Sequence, residues 1–270
     1  MTSSPDDSLP GGLFPPQDAG RMECAPAEAN GNKQELPKRF YTQATAEERD
    51  GLFVLLLDGR QARTPGRAPL GVPDAGIAAA LAQEWNAQET VINPATMPLT
   101  RMVNSIIDGV SQSREAVTDE IVRYAGSDLL CYRADAPERL VQSQRKHWDP
   151  VLDWARQELG ARFILSEGVM FVQQPEESVM AIRRAVTAQP SHFTVGALHV
   201  LTTMGGSVLL ALALGYQNLD LDSAWAAAHV DEDVQMEIWG QDEEAMLRRA
   251  ARFKEFEAAS QLLAAFWREA

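Results

Sequence analysis

Nine carboxylates gather between Asp220 and Glu244, inside a stretch from Ala185 to Leu247 that carries no Lys or Arg: Asp220, Asp222, Asp231, Glu232, Asp233, Glu237, Asp242, Glu243 and Glu244. Acids at this density offer two chemistries. They can hold a metal ion together with His229, which stands one helical turn from Glu232 and Asp233, or they can receive basic groups of another protein beside the apolar anchors Trp225, Met236 and Trp239. Neighbours three or four residues away cannot neutralise such charge, so the acids stay solvated, pair with a distant basic part of the fold, or meet a partner. At helical spacing Asp231, Gln235, Ile238 and Asp242 share one side, whereas Val230, Val234 and Met246 are expected to face the core.

Other chemistry is hard to assemble from this sequence. It contains no Gly-x-x-x-x-Gly-Lys-Ser/Thr phosphate cradle, no Gly-x-Gly-x-x-Gly and no Gly-x-Ser-x-Gly elbow. Gly205-Gly206-Ser207 lies within an apolar helical stretch, where close packing explains it better than an oxyanion loop. Cys131 sits in the apolar run Leu129-Leu130-Cys131-Tyr132 and reads as a buried thiol. His147, His192 and His199 have no carboxylate three or four residues on. The expectation is a protein without catalytic residues, cofactor or metal; the rival is a small helical metal-dependent hydrolase using His229 and its neighbouring carboxylates.

Composition narrows the partners. At 270 residues with 45% hydrophobic content the chain can bury a substantial core. Its net charge of −14 disfavours nucleic acid and anionic membrane surfaces, because no Lys/Arg stripe is available to meet phosphates. Cys24 and Cys131 lie far apart, which argues against a structural disulfide, and the start Met-Thr-Ser-Ser-Pro-Asp-Asp-Ser has neither a secretory nor a mitochondrial targeting pattern. A cytoplasmic location follows as the expectation. The apolar stretch Thr194 to Tyr216 contains Thr202, Thr203, His199 and the glycine pair and lacks basic flanks, so it is expected as a buried helix, or two short ones broken at the glycines, rather than a membrane span.

The elements that must position these residues fall into three regions. Residues 1–35, rich in Pro, Gly, Ser, Asp and Asn, are expected as a disordered tail. Residues 36–98 form a β-rich domain, with strands over Arg39 to Gln43, Leu52 to Leu57, Arg60 to Thr64 and Ala68 to Val72, and a hairpin at Asp58-Gly59. Asp74 caps a helix reaching about Gln88, with Ile77, Leu81 and Trp85 on one face. Residues 99–270 read as a larger, mainly α-helical domain: helices over Met102 to Val110, Val117 to Leu130 and Leu140 to Leu159, the last restarted at Pro150, then a hairpin around Glu167-Gly168, and helices from Glu176. The final helices are expected over Asp222 to Trp239 and Asp242 to Glu269, parted by Gly240. The fold class is therefore α+β.

A series of motifs in order along residues 36 to 265 resembles one family. They are Arg39-Phe40-Tyr41, Asp58-Gly59-Arg60 with Thr64-Pro65, Glu84-Trp85 with Ala87-Gln88, and Met97-Pro98 with Arg101. Further on come Tyr124, Ser127 to Arg133, Gln144, Trp148-Asp149-Pro150 and Trp154, and last Asp231-Glu232-Asp233, Gln235, Glu237, Trp239-Gly240, Asp242 and Glu244-Ala245. The chain is similar to the chaperones that receive the alpha subunit of the catalytic head of the F-type ATP synthase in mitochondria and related bacteria. The resemblance implies an ATP-independent holdase that keeps the free alpha subunit from aggregating until the alpha/beta ring forms. The acidic start differs from the presequence of the mitochondrial members, which act in the matrix, and points to a bacterial one.

On that reading Asp231, Glu232, Gln235, Glu237, Trp239, Asp242 and Glu243 are the expected contact residues, the bland alternative being a solvated face. A chaperone that must free its binding surface is expected to be a monomer. Trp85, Asp128 and Trp148 are read as structural residues with contact as the alternative: Trp85 in the core, Asp128 as a buried acid bonded to backbone or Arg, and Trp148-Asp149-Pro150 fixing a helix start with Asp149 as the cap.

Overall fold

The computed structural model describes residues 36–168, 171–240 and 242–268; the expected tail over 1–35, with Cys24, lies outside them. The described chain is α+β, as the sequence implies. Strands β1 (Ala44–Arg49), β2 (Leu52–Leu57), β3 (Arg60–Gln61) and β4 (Gly71–Val72) form an antiparallel sheet with β2 in the middle, in the register Ala44↔Leu57 and Arg49↔Leu52. Both hairpins turn on Asp-Gly. Asp50-Gly51 and Asp58-Gly59 each place both central residues at positive φ, the condition for a turn whose twist matches the strands it joins. Val54, Leu55, Leu56 and Leu57 are all buried, so both faces of β2 are covered.

The expected strand over Arg39 to Gln43 does not form. The Asp58 carboxylate accepts from the backbone N–H groups of Thr42 and Gln43 at 2.9–3.1 Å, and the Arg39 guanidinium donates to the carbonyls of Tyr41, Thr42 and Gln88. Side chains thus satisfy the backbone groups that a ladder would otherwise take. Pairing starts instead at Ala44, in an exposed charged edge strand whose sequence shows no alternation, and the expected strands after Arg60 and Ala68 shrink to β3 and β4.

Helix α1 (Ala75–Asn86) is capped by Asp74, whose carboxylate accepts from Ile77 N–H at 2.8 Å, and it buries Ile77 and Leu81 against the sheet. Trp85 is half-buried beside Tyr41. One residue of α1 also starts the helical part: Glu84 accepts from Leu99 N–H and Thr100 N–H, both at 2.8 Å, capping α2 (Pro98–Ser105) from outside. Burial pushes the Glu84 carboxyl up from its ordinary value. α2 runs through a π-helical turn, Ile106–Val110, into α3 (Ser111–Tyr124).

β5 (Tyr132–Arg133) then leads to α4 (Glu138–Glu158), which is continuous through Pro150 rather than restarted there. Buried Trp148, Val151, Trp154 and Ala155 and a 2.7 Å bond from the Trp148 indole to the Ala227 carbonyl hold the helix, outweighing the ~3 kcal/mol that an interior proline costs. Asp149 accordingly caps nothing; it pairs with Arg133 at 2.7 Å. The expected hairpin near Glu167 is instead β6 (Ser166–Glu167), parallel to β5.

The core is built on α5 (Glu176–Thr187), α6 (His192–Gly205) and α7 (Val208–Gly215), with α8 (Leu221–Ala228) beside them. The apolar stretch is two short helices, broken where Gly206 adopts φ +67. Among the described residues no helix is long and apolar enough to cross a membrane. Asp128, fully buried, accepts from Leu130 N–H at 3.1 Å and from Leu209 N–H at 3.2 Å, so one carboxylate caps both the short turn Leu129–Cys131 and the start of α7. Burial pushes its pKa up from 3.8 to about 6 against the bonds from Ser207, Leu130, Leu209 and Val208.

The folded carboxyl thus holds its proton to a higher pH than the unfolded one. The associated stability is complete below the unfolded value and is lost as pH rises through 6. Against Asp128→Asn, which does not titrate, the wild-type chain should lose about 1 kcal/mol of relative stability between about pH 5 and pH 7 in urea titrations. Asp128→Ala, which strands two buried N–H groups, should cost about 3 kcal/mol or more and reduce soluble yield.

Candidate functional site

The acidic segment folds into α9 (Val230–Trp239) and α10 (Glu243–Phe266), which meet at a corner where Gly240 turns the chain at φ +90. His229 ends α8 and starts α9, so the single helix expected over Asp222 to Trp239 is two. Val230 and Val234 are buried as expected, whereas Met246 is exposed, because the first turns of α10 run past the body and only Ala245 and Arg249 lean on it. The corner carries Trp239, 85% exposed, and the exposed Ile238 (51%) on α9 and Leu247 (67%) on α10. Trp225, read above as part of this surface, is instead buried against Phe253, Phe256 and His229.

The acids do not all face water. Asp231 accepts from the Gln144 amide at 2.9 Å, Asp233 pairs with Arg249 at 2.5 Å, and Glu232 lies 3.8 Å from Arg249 and 4.0 Å from Arg252. Glu237 pairs with Arg139 of α4. Asp220 and Asp242 serve as N-caps of α8 and α10, accepting from Ser223 N–H at 2.7 Å and Ala245 N–H at 3.0 Å. Two of the three possible fates therefore occur together: the base of α9 is pinned by the protein's own arginines, while Gln235 and Glu243 stand exposed and the exposed Glu244 pairs with Arg248 one turn on.

Of the expected contact residues, Gln235, Glu237, Trp239, Asp242 and Glu243 are exposed at or near the corner, and Glu232 is exposed at its base. Asp231 is half-buried under α4. Trp85, Asp128 and Trp148 lie elsewhere, in the roles described above. His229 faces inward: its Nδ1 is 2.8 Å from the Trp225 carbonyl, its ring stacks on Trp225 at 3.8 Å, and burial pushes its pKa below the ordinary histidine value. It does not converge with Glu232 and Asp233, and no group of three His, Cys, Asp or Glu able to hold a metal occurs among the described residues. Burial and the charge of Asp128 push the Cys131 thiol up to about 12, far from a nucleophile's range.

Sequence reasoning missed Leu247 and the basic partners Arg139, Arg249 and Arg252. Leu247 had a signal: it lies outside the helical stripe of Phe256, Ala259 and Leu263 that holds α10 to the core. The arginines had none, since pairing across 16 residues or more leaves no local spacing to detect.

A family model described as ATP12 chaperone protein matches residues 38–156. A solved protein of Agrobacterium tumefaciens shares 48% identity at a TM-score of 0.81, covering 85% of this chain and 86% of that one. Atp12 of Paracoccus denitrificans shares 39% at a TM-score of 0.78, covering 85% and 98%. The mitochondrial protein atp12 of Schizosaccharomyces pombe is 22% identical over 221 residues, 77% of this chain and 75% of that one. The chain belongs to the ATP12 chaperone family, the assembly chaperones of the ATP synthase that the sequence motifs resemble. The family model ends at residue 156, before α9 and α10.

Arg249 clamps the corner, with its side chain 19% exposed, its guanidinium on Asp233 and 5.8 Å from the Trp225 ring. Arg249→Ala should cost about 1 to 2 kcal/mol in chemical denaturation. Arg248→Ala, which removes only an exposed pair with Glu244 one turn away, should change stability by less than about 0.5 kcal/mol.

Proposed function

We propose that this chain is an ATP-independent holdase that binds the free alpha subunit of the F-type ATP synthase catalytic head at the α9–α10 corner, preventing its aggregation until the alpha/beta ring forms. Membership of the chaperone family supports the role, and the resemblance of the sequence motifs supports the client. The observation that carries the reading is Trp239, almost wholly exposed, with Ile238 and Leu247 also exposed and Glu237, Asp242 and Glu243 exposed near it in the chain.

An aromatic side chain left in water at a protruding corner gains its burial energy only when a partner covers it, as the anchor of an interface does. An orphan subunit exposes an apolar interface of its own, so the two deficits cancel on contact. The acids supply attraction at a distance and partner choice more than affinity, which suits capture that must be reversed. In this reading the chaperone works as a cytoplasmic monomer, needs no cofactor, and makes and breaks no covalent bonds.

Co-expression with the alpha subunit tests the reading. The wild-type chain should keep the subunit soluble and elute with it one to one. Trp239→Ala combined with Glu243→Lys should lower capture at least about tenfold while leaving the melting temperature within a few degrees, because neither side chain is buried. Asp242 is left in place, since its loss would remove the cap of α10 and cost about 1 kcal/mol by itself. Full capture by the double variant would remove the corner from the interface.

A further inference from the structure

We propose that the groove between α4 and the strap of residues 162–168 is a second docking surface, resting on the chaperone reading, for an extended client segment that carries a carboxylate beside apolar side chains. Two adjoining cavities, of about 420 and 570 Å³, run along this seam, and Asp149 and Leu165 line both. Leu165, 48% exposed, forms the ridge between them. Val141 lines one cavity, and Leu152 and Phe163 the other.

The charge of this groove is nearly balanced, four guanidiniums against three carboxylates, where the chain as a whole is strongly acidic. Its walls bring together Arg133, Arg145, Arg156 and Arg162, within a chain whose net charge is −14. Arg133 pairs with Asp149 at 2.7 Å and Arg156 with Asp153 at 2.9 Å. Arg145 and Arg162, one in each cavity, form no ion pair among the described residues. Each side of Leu165 thus offers one guanidinium, a fork suited to a carboxylate, beside Val141 in one cavity and Leu152 and Phe163 in the other. Nucleic acid would gain little here, because Asp149, Asp153 and Glu167 share the walls.

Continuity with the acidic corner points to the same client. Gln144 lines the groove and donates its amide to Asp231 of α9, while its own carbonyl accepts from Ala134 N–H at 2.9 Å. One side chain therefore separates the trough from the acidic helix, and Arg139, on the same helix as the trough, reaches Glu237. A partner with a cationic patch beside an acidic, apolar strand would meet both poles in one encounter.

Photo-crosslinking in the full chain, co-expressed with the alpha subunit, tests this. A benzophenone amino acid replaces Leu165 in one variant and Trp239 in another. Both should crosslink the subunit, and the peptide linked at position 165 should contain Asp or Glu within a few residues of the link. Arg145→Glu with Arg162→Glu should lower capture about tenfold, whereas Arg60→Glu on the far hairpin should leave it unchanged. A link from position 239 without one from 165 would overturn the second surface and leave the corner standing, as would a link from 165 to residues 1–35 or to a second copy of the chain. Capture undiminished by the double charge reversal would equally overturn it. Silence at both positions would count against the chaperone reading itself.

Discussion

The carboxylate of Asp128 is the constraint on which the arrangement of helices rests. The start of α7 lies inside the core, where water cannot reach its first N–H groups, and unsatisfied N–H groups there would each cost a few kcal/mol. Ser207 takes Leu210 and Asp128 takes Leu209, while Asp128 also holds the turn that brings Cys131 and then β5 alongside. Negative charge at a helix N-terminus is favoured by the aligned peptide dipoles, so the acid and the helix end offset each other's burial. With that end secured, the apolar stretch can break at Gly206 and fold back as two short helices. α3 and α10 pack on α6, α4 reaches α8 through the Trp148 bond to Ala227, and α10 acquires the length that carries its first turns beyond the body.

Glu84 does for the junction with the sheet what Asp128 does for the core. It caps α2 across the connector between the two helices, and the next link, Arg101 to Glu255 at 2.5 Å, ties α2 to α10. A path of charge-assisted bonds therefore runs from the β-rich part to the helix that bears the corner. Arg249 then joins α10 back to α9. The corner is exposed but not loosely attached, so under the proposed function Trp239 would dock without the entropy cost of ordering a loop.

Much of this was legible in the sequence where the signal is local. Asp58-Gly59 gave a hairpin, Asp74 a cap, and Gly206 and Gly240 breaks, since each needs only a few adjacent residues to act. The same Asp-Gly signal at Asp50-Gly51 was overlooked because the strand before it, Ala44–Arg49, is an exposed edge with no alternating pattern. Pro150 misled for the opposite reason: its local cost is real, but Trp148, Val151 and Trp154 supply burial that no local rule contains. Trp225 and Met246 exchanged the surface and core places assigned to them because helical spacing alone does not say which of two opposite faces meets a neighbour. The pairs Arg139–Glu237 and Arg249–Asp233 join residues distant in the chain, so the sequence left open which acids pair within the fold.

That pairing alters what the acidic segment can do. A fully bare cluster of nine carboxylates would repel itself and attract any cation; pinned at its base by Arg249 and Arg252, it keeps free charge mainly at the tip, beside the tryptophan. The Arg139–Glu237 pair is exposed on both sides, and such pairs are worth only about 0 to 1 kcal/mol. On the proposed docking, a client cation would displace Arg139 from Glu237 at little cost. Arg139 would then be freed on α4, the helix whose later turns carry Arg145 along the trough, and would add to the positive pole as the negative one is covered.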